Sequence, residues 1–222
     1  SQNVFFMRLE FEIENEDFSL SQFKSDFSSE LSVKFKMNWS LYHSKEKLKM
    51  AIFVSKYDHC MYDLLGRYRS NELNVEIPFI VSNHADLKGI AENFEIPFYH
   101  IPVFKDNKIQ AEEEQLKLLH KYHINFIVLA RYMQIVTPKL INHYKYNIIN
   151  IHHSFLPAFI GAKPYHSAFK RGVKIIGATS HYVTEELDAG PIIYQDVAHV
   201  SHTYNINDLI LKGKDIEKIV LS

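Results

Sequence analysis

The chain has 222 residues, of which 46% are hydrophobic and 23% are charged, and its formal net charge is −1. These values are ordinary for a globular protein, and the length suffices for one large domain or for a medium domain with a small companion. The near-zero charge gives no reason to expect nucleic acid or an acidic membrane surface as a partner, and no apolar run reaches the roughly 18 residues that a membrane-spanning helix needs.

Cysteine usage indicates a reducing environment. Cys60 is the single cysteine of the sequence, so no internal disulfide can form. A lone thiol suits a reducing compartment, and we therefore expect a cytoplasmic location. The sequence begins with Ser1 rather than Met, so we expect residues ahead of it, and an organellar targeting segment there is an open alternative.

The N-terminal segment predicts a small β-α-β piece. Val4–Ile13 alternates apolar and polar side chains with period two, which indicates a half-buried strand. Apolar residues then recur every three or four positions between Asp17 and Leu31, which predicts a helix with Asp17 as a candidate N-cap. Ser32–Ser40 alternates again as a second strand, and the charged stretch His43–Lys49 is typical of a linker. Two strands and one helix make a poor domain alone, so the piece is expected to dock on something or to lack partners.

From Lys49 onward, apolar strands alternate with amphipathic helices. Met50–Val54 is a continuous apolar run, typical of a strand buried on both faces. Further strands are predicted at Val75–Val81, Phe98–Val103, Phe126–Ala130, Ile148–Ile151 and Ile175–Tyr182, and helices at Cys60–Tyr68, Asp86–Phe94, Ala111–His123, Pro138–Tyr144 and Ile206–Val220. This alternation predicts an α/β fold, Rossmann-like, with a mostly parallel, doubly wound sheet.

Turn-forming residues indicate where the site lies. Half of the glycines and prolines of the chain fall between Pro157 and Pro191. A parallel sheet places its ligands in the loops beyond the carboxyl ends of its strands. The functional site is therefore expected in the loops that follow the fifth strand of the sheet.

Two polar side chains stand at the end of that fifth strand. Asn150 and His152 are two positions apart, so in a strand they project from the same face. An amide beside an imidazole can hydrogen-bond one carbonyl oxygen of a substrate, as an oxyanion site does. Asp188, flanked by apolar Leu187 and Ala189, is a candidate carboxylate whose pKa burial would raise and a neighbouring imidazolium would lower. The alternatives are that these side chains merely satisfy loop carbonyls, or that Asp188 is a turn residue before Gly190.

Other kinds of site find little support. His152, His153, His166 and His181 lie in one region, but neither H-E-x-x-H nor paired cysteines accompany them, so no metal is expected. The sequence lacks both glycine-rich phosphate-binding motifs, and the first βα turn, Ser55–Cys60, contains no glycine. A nucleotide or a sugar phosphate is therefore not expected at that turn. The G-x-S-x-G elbow of serine hydrolases is missing as well.

The segment from Asn150 to Val197 resembles the folate-dependent formyltransferase family. That family's signature is N-x-H followed by S-x-L-P and later by L-D-x-G-P-I, and the matching residues are Asn150, His152, Ser154, Leu156, Pro157, Leu187, Asp188, Gly190, Pro191 and Ile192. Leu129–Pro138 resembles the family's folate-side strand and loop. The resemblance extends from Lys49 to the C-terminus and implies the fold already expected from the alternation of elements.

Within this family the chain is most similar to the formyltetrahydrofolate deformylases. His153 follows His152 where the glycinamide ribonucleotide transferases usually carry Pro. Ser55–Leu65 resembles the deformylases' H-C-x-x-D-L-L segment, where the transferases have a glycine-rich turn for the phosphate of their acceptor. Residues 1–43 are similar to the latter half of an ACT domain, an α+β module that precedes the catalytic domain, here 44–222, in deformylases.

The resemblance implies hydrolysis of 10-formyltetrahydrofolate to tetrahydrofolate and formate, which would balance one-carbon pools for purine biosynthesis. Asn150, His152 and Asp188 would be catalytic, with the folate as substrate and with no cofactor. Residues that match the family's pterin pocket are Met133, Gln134, Ile135, Val183 and Glu185, and His153 is expected to line the pocket or to support its neighbours. Plain packing is the alternative for Ile135 and Val183. Gln134 stands where many members carry Arg.

Partners are also implied by the resemblance. ACT domains commonly bind small amino acids at their interfaces, so control by glycine or methionine is implied, and a half-exposed sheet edge favours a homo-oligomer. A complete ACT domain would begin before Ser1, and members of the family usually continue past Ser222, so we expect a chain trimmed at both ends. No nucleic acid and no membrane is expected.

Two rival functions keep the same residues. A formyltransferase with an amine acceptor would use the same three side chains, and its turnover would require an amine. A non-catalytic amino-acid sensor built on the ACT-like part would bind folate without turnover. A hydrolase needs only water, so we expect bulky side chains such as Tyr57 or His59 to narrow the side from which an acceptor would enter.

Overall fold

The computed structural model describes residues 5–13, 18–43, 46–158 and 164–222. The chain divides into two compact units, Ser1–Glu46 and Lys47–Ser222. Across the described helices, none combines the length and the apolar character needed to span a bilayer.

The first unit is organised around one bent helical stretch. It comprises α1 (Leu20–Asp26), a wider π-helical segment (Phe27–Ser32) and α2 (Val33–Phe35). Ser19 is the N-cap and accepts from the backbone N–H of Gln22, while Asp17, the predicted cap, lies outside the described residues. The stretch ends where Lys36 adopts a left-handed φ of 51°. Phe23 and Phe27 on this helix contact Phe11 and Trp39.

The prediction of two strands in this unit is wrong. Residues 5–13 have no regular structure, and although Phe11 contacts Phe23, every residue of the segment is exposed. The second predicted strand begins inside a helix, since Ser32 and Val33 continue the turn that precedes them. An alternating pattern produces a strand only where another strand completes its hydrogen bonds, and no strand is present among the described residues of this unit.

The second unit contains one mixed sheet. Its described strands are β1 (Leu48–Val54), β2 (Val75–Glu76), β3 (Ile80–Ser82), β4 (Phe98–His100), β5 (Phe126–Leu129), β6 (Ile148–His152), β7 (Ile175–Tyr182) and β8 (Ile192–His199). The order is β4-β3-β1-β5-β6-β7-β8, and β2 pairs with β1 beside β3. Pairing is parallel from β4 through β6 and antiparallel for β7 and β8. The predicted mostly parallel α/β sheet is therefore confirmed.

Helices cover both faces of this sheet. They are α3 (His59–Arg69), α4 (Lys88–Asn93), α5 (Lys108–Lys121), α6 (Pro138–His143), α7 (Pro164–Arg171) and α8 (Ile206–Leu221). One core lies under α3, α4, α7 and α8, and a second core lies under α5 and α6. Because each inner strand meets a core on either side, its sequence is continuously apolar, as Met50–Val54 shows.

Two elements of this unit were not predicted. Helix α7 starts at Pro164 within the turn-rich region, where a proline suits the first helical turn. Strand β8 follows Pro191, and its first three residues are exposed, so no clean alternation marks it. The predicted strand Val75–Val81 is split by Pro78 into β2 and β3, because proline cannot donate to the ladder.

The strand order creates a switch point between β1 and β5. From β1 the chain first adds β3 and β4 on one side of the sheet and then adds β5 and β6 on the other. The connections on the two sides diverge there, which leaves a crevice at the carboxyl ends of the two strands. The loops that begin at Ser55 and at Ala130 border this crevice, and β6 lies next along the sheet.

Candidate active site

Asn150 and His152 lie among the last three residues of β6, toward the carboxyl end of the strand. Asn150 is in register with Leu129 of β5 on one side and with His181 of β7 on the other. His152 is buried, and its register partner on β7 is Thr179. The pleat directs residues two apart to one face, as predicted, so the amide and the imidazole lie on the same side of the sheet.

Asp188 reaches this pair from the loop between β7 and β8. Its Oδ2 lies 3.2 Å from Nδ1 of His152. The loop holds Asp188 at a left-handed φ of 54°, a conformation that costs a non-glycine residue roughly 1–3 kcal/mol and that persists where the surroundings impose it. Gly190 is part of that constraint, because a Cβ atom there would collide with the backbone carbonyl of Tyr182.

The electrostatics of the loop favour an ionised Asp188. The hydrogen bond from His152, followed by the proximity of His181, lowers the pKa of Asp188 well below its ordinary value of 3.8, although partial burial opposes the shift. Because Nδ1 of His152 faces this carboxylate, the other ring nitrogen, Nε2, points away from Asp188. That Nε2 atom is buried and has no hydrogen-bond partner among the described residues. A partly buried carboxylate, a histidine and one unused ring nitrogen are the parts that a proton donor or an oxyanion donor requires.

His181 completes the cluster, and its participation was not predicted. Its Nδ1 lies 3.0 Å from the carbonyl oxygen of Tyr182. Its Nε2 lies 3.1 Å from Nδ2 of Asn150 and 3.6 Å from Oδ1 of Asp188. His181 therefore joins the Asn150 amide to the Asp188 carboxylate. The cross-strand register of Asn150 and His181, which the sequence alone does not give, is what brings the two together.

The predicted pocket residues fall into two groups. Met133, Gln134 and Ile135 lie on the loop after β5, with Met133 and Ile135 largely exposed. Val183 packs partly on the core beneath α6 and donates its N–H to the carbonyl of Ile148, and Glu185 is exposed and accepts from Asn142. The first group follows the carboxyl end of β5, whereas the second follows the end of β7, which by its antiparallel register lies beside the start of β6. Contact of either group with a folate stays a prediction.

The loop after β5 is firmly anchored. The N–H of Met133 donates to Oγ of Ser55 across 2.9 Å, and that hydroxyl donates to Asn83 across 2.6 Å. Further along, Glu112 accepts from both the N–H and the hydroxyl of Thr137. These bonds fix both ends of the loop, so the exposed side chains between them are presented on a rigid backbone.

His153 points to the opposite side of the sheet from His152. Its ring lies 5.8 Å from the ring of Tyr165 on α7 and borders an apolar cavity of about 350 Å³ that also touches Ala168 and Val197. The structure therefore places His153 with α7 rather than with Met133 or Val183. His166, on the same helix, is exposed.

A second buried ionic cluster lies beneath the switch point. Glu217 of α8 is almost inaccessible, accepts from Tyr165 across 2.6 Å, and lies 2.8 Å from Nε2 of His59. Nε of Arg131 is 3.5 Å from the same carboxylate. Burial by itself would raise the pKa of Glu217, but the hydrogen bond from His59 and the charge of Arg131 outweigh it, so the pKa is lowered. The carboxylate therefore stays charged inside the protein.

Potential metal ligands are found in this second cluster. Among the described residues, His59, Cys60 and Glu217 bring their ligand atoms within 4.8 Å of one another. However, Glu217 is already used by His59 and Tyr165, and the positive charge of Arg131 is adjacent. Burial, followed by the charge of Glu217, raises the pKa of the Cys60 thiol well above its ordinary range, which opposes the thiolate that a metal needs. This donor set fits an internal ion pair better than a metal.

The chain is similar to known proteins in both its sequence and its fold. The sequence matches the formyl transferase family over residues 48–222. A formyltetrahydrofolate deformylase from Synechocystis sp. is 50% identical over 222 residues, which cover 100% of this chain and 78% of the relative. The crystal structure of a formyltetrahydrofolate deformylase from Pseudomonas syringae pv. tomato superposes with a TM-score of 0.88 at 48% identity, over 92% of this chain and 68% of that one. A phosphoribosylglycinamide formyltransferase from Anaplasma phagocytophilum is similar at a TM-score of 0.72 and 31% identity, over 78% of this chain and 82% of that one.

Proposed function

This chain belongs to the formyl transferase family, among its formyltetrahydrofolate deformylases, and we propose that it hydrolyses 10-formyltetrahydrofolate to tetrahydrofolate and formate. The observation that carries the proposal is the pairing of His152 with the ionised Asp188, which leaves Nε2 of His152 unused at the edge of the sheet. The substrate class comes from the relatives, and the side chains that would act on it come from the geometry.

The reaction can be written with the groups present. Water attacks the formyl carbon, and the carbonyl oxygen gains negative charge as the tetrahedral intermediate forms. An N–H of Asn150 and the Nε2–H of His152 are placed to donate to that oxygen. The bond between the formyl carbon and N10 then breaks as N10 takes the proton from Nε2 of His152. The oxygen of the attacking water returns one proton to His152, and tetrahydrofolate and formic acid leave, the acid ionising to formate in solvent.

The role of Asp188 follows from its protonation state. A carboxylate whose pKa is strongly lowered is a weak base, so it is poorly suited to remove a proton from water at neutral pH. The same ionised carboxylate stabilises positive charge on His152 at 3.2 Å and fixes the orientation of the ring. We therefore assign Asp188 to holding His152 as the proton donor and to orienting water, rather than to general-base catalysis. No cofactor and no metal is required by these steps.

The experiment uses the full chain and 10-formyltetrahydrofolate with no amine present. We expect release of tetrahydrofolate and formate, and a fall in kcat of about 10²–10³ when Asn150→Ala removes one oxyanion donor. Asn93→Ala is the matched control, because Asn93 is an exposed amide at the end of α4. Full activity of Asn150→Ala would refute its assignment, and turnover that appears only after an amine is added would make the protein a transferase.

Regulation, assembly and location extend the proposal. We propose a homo-oligomer controlled by glycine or methionine, supported by the ACT-like sequence pattern and by exposed apolar side chains of the first unit such as Phe5, Phe6 and Leu9. We also propose that the enzyme supplies formate and balances one-carbon pools for purine biosynthesis in the cytoplasm, where its single thiol, Cys60, would stay reduced. Sedimentation of the full chain with and without glycine or methionine tests the assembly and its effector.

A further inference from the structure

Side chains of the protein itself cluster at the switch point between β1 and β5. Tyr57 lies on the loop after β1, and Arg131 lies just after β5. The guanidinium carbon of Arg131 sits 4.8 Å from the centre of the Tyr57 ring, in cation–π contact. Beneath them, Glu217 pairs with Arg131 and with His59. These four residues, called the plug below, occupy the position where a doubly wound sheet ordinarily offers its ligand crevice.

Both the backbone conformation and the environment of Arg131 in the plug are energetically unfavourable. Its backbone adopts a left-handed φ of 64°, which a side chain with a Cβ disfavours by roughly 1–3 kcal/mol. Only 7% of its side chain is exposed, yet its Nε has no hydrogen bond to any described residue. A strained and incompletely satisfied buried cation is costly for stability, so its presence at a crevice points to function.

A chain of contacts leads from the plug to the proposed catalytic centre. Glu217 accepts from the hydroxyl of Tyr165, whose ring lies 5.8 Å from that of His153. His153 in turn lies 5.4 Å, ring to ring, from His152. The loop of Arg131 is also tied to the loop of Tyr57, because Met133 donates to Ser55. The plug is therefore connected to His152 on one side and to the folate-side loop on the other.

A protein of the same fold that uses a different acceptor indicates what such a plug would control. The same fold occurs in a phosphoribosylglycinamide formyltransferase, which by its name transfers the formyl group to an acceptor other than water. A transferase must admit an amine beside the formyl carbon, whereas a hydrolase must admit water and exclude the amine. On the proposed function, we propose that Tyr57, His59, Arg131 and Glu217 form a specificity-determining plug that keeps amine acceptors from the formyl group, so that water is the nucleophile.

Without the plug, the expected side reaction is formyl transfer to an amine. A primary amine would attack the formyl carbon in place of water, the bond from that carbon to N10 would break, and a proton from the amine nitrogen would reach N10. The products are an N-formyl amine and tetrahydrofolate. No oxidant or other reactant is needed, so each turnover divides between formate and the N-formyl amine, and this ratio reports access directly.

The test compares that product ratio in variants of the plug. Tyr57→Ala removes the half-exposed ring, and Arg131→Gly removes the guanidinium and relieves the left-handed backbone. Asn71→Gly is the matched control, since Asn71 has a φ of 61° on an exposed loop after α3. Each full-length protein receives 10-formyltetrahydrofolate with glycinamide as the amine, and formate and N-formylglycinamide are quantified against a sample without enzyme.

We expect the wild type and Asn71→Gly to yield formate with only a small fraction of N-formylglycinamide, and each plug variant to raise the ratio of N-formylglycinamide to formate about tenfold or more. A merely structural plug would lower both products together and leave the ratio unchanged, and that result would overturn the inference. Formylation of glycinamide by the wild type at a rate like that of its hydrolysis would also overturn it. Failure of the wild type to release tetrahydrofolate under any condition would instead refute the proposed function on which the inference rests. Tyr57→Ala decides the matter should Arg131→Gly not fold.

Discussion

Two histidine–carboxylate networks of similar composition lie on the two sides of β6. In the site network, Asp188 pairs with His152 on a loop, and one nitrogen of that histidine is unused. In the plug, Glu217 of α8 pairs with His59 of α3, and the other ring nitrogen of His59 likewise has no hydrogen-bond partner among the described residues. Arg131 and Tyr165 surround the same carboxylate. The difference teaches that the environment, rather than the residue types, determines what such a pair does. Asp188 is only partly buried on its loop, whereas Glu217 is almost inaccessible inside the protein.

The largest expected effect is the loss of activity on removing the site carboxylate. Asp188→Asn keeps the shape of the side chain but cannot stabilise positive charge on His152, so we expect kcat to fall by about 10³–10⁴. The protein should still unfold cooperatively, because Asp188 is on a loop. Initial rates of tetrahydrofolate formation measure the effect. Asp106→Asn, on an exposed loop, is the control, and an Asp188→Asn enzyme within tenfold of wild type would contradict the assignment.

Removing the charge of the plug carboxylate should lower the stability of the protein. Glu217→Gln leaves Arg131 buried without its counter-charge, which we expect to reduce the free energy of unfolding by about 3 kcal/mol. Urea denaturation followed by circular dichroism measures it. The matched control is Glu113→Gln, whose carboxylate pairs with Lys139 in solvent and should leave stability unchanged. An equal effect of both substitutions would mean that burial does not distinguish the two pairs.

A smaller effect is expected at the loop that connects the two networks. Ser55→Ala removes the hydroxyl that accepts from Met133 and donates to Asn83, so the folate-side loop loses its anchor while the catalytic groups are untouched. We expect KM to rise about tenfold with kcat nearly unchanged, equivalent to about 1.4 kcal/mol of binding. Steady-state kinetics separate the two constants. Ser70→Ala, at the exposed end of α3, should change neither, and a fall in kcat with KM intact would show that the loop serves the chemistry instead.

The two networks differ in how far the sequence predicts them. Asn150, His152 and Asp188 could be singled out because they fall on a recognisable motif at a strand end, and most elements of the sheet were predicted from apolar runs such as Met50–Val54. The partnership of His181 with Asn150 depends on antiparallel register, which no local pattern encodes.

The plug was still less accessible to sequence analysis. In the sequence, Glu217 is one charged residue of an amphipathic helix, and such a residue is usually expected on the solvent-exposed face. Its burial arises because α8 packs under α3 and α7, so that His59 and Tyr165 enclose it. In the first unit, by contrast, the sequence showed a pattern typical of a strand, but the residues described there form no strand. Alternation between Phe5 and Ile13 was present, but a strand also needs a neighbour, and that is a tertiary property.

The smallest effect concerns pH and separates the two carboxylates again. The folded-state pKa of Asp188 is lowered, so its contribution to stability is complete above its ordinary pKa of 3.8 and is lost as the pH falls toward the folded-state value. Asp188→Asn should therefore be less stable than wild type by about 1 kcal/mol at pH 6, and the two curves should converge as the pH is lowered from 4 toward the acid limit. Urea denaturation of both proteins across this range measures the difference. Should the gap stay constant with pH, the contribution of Asp188 would be one of packing, and its charge would no longer account for the pairing with His152.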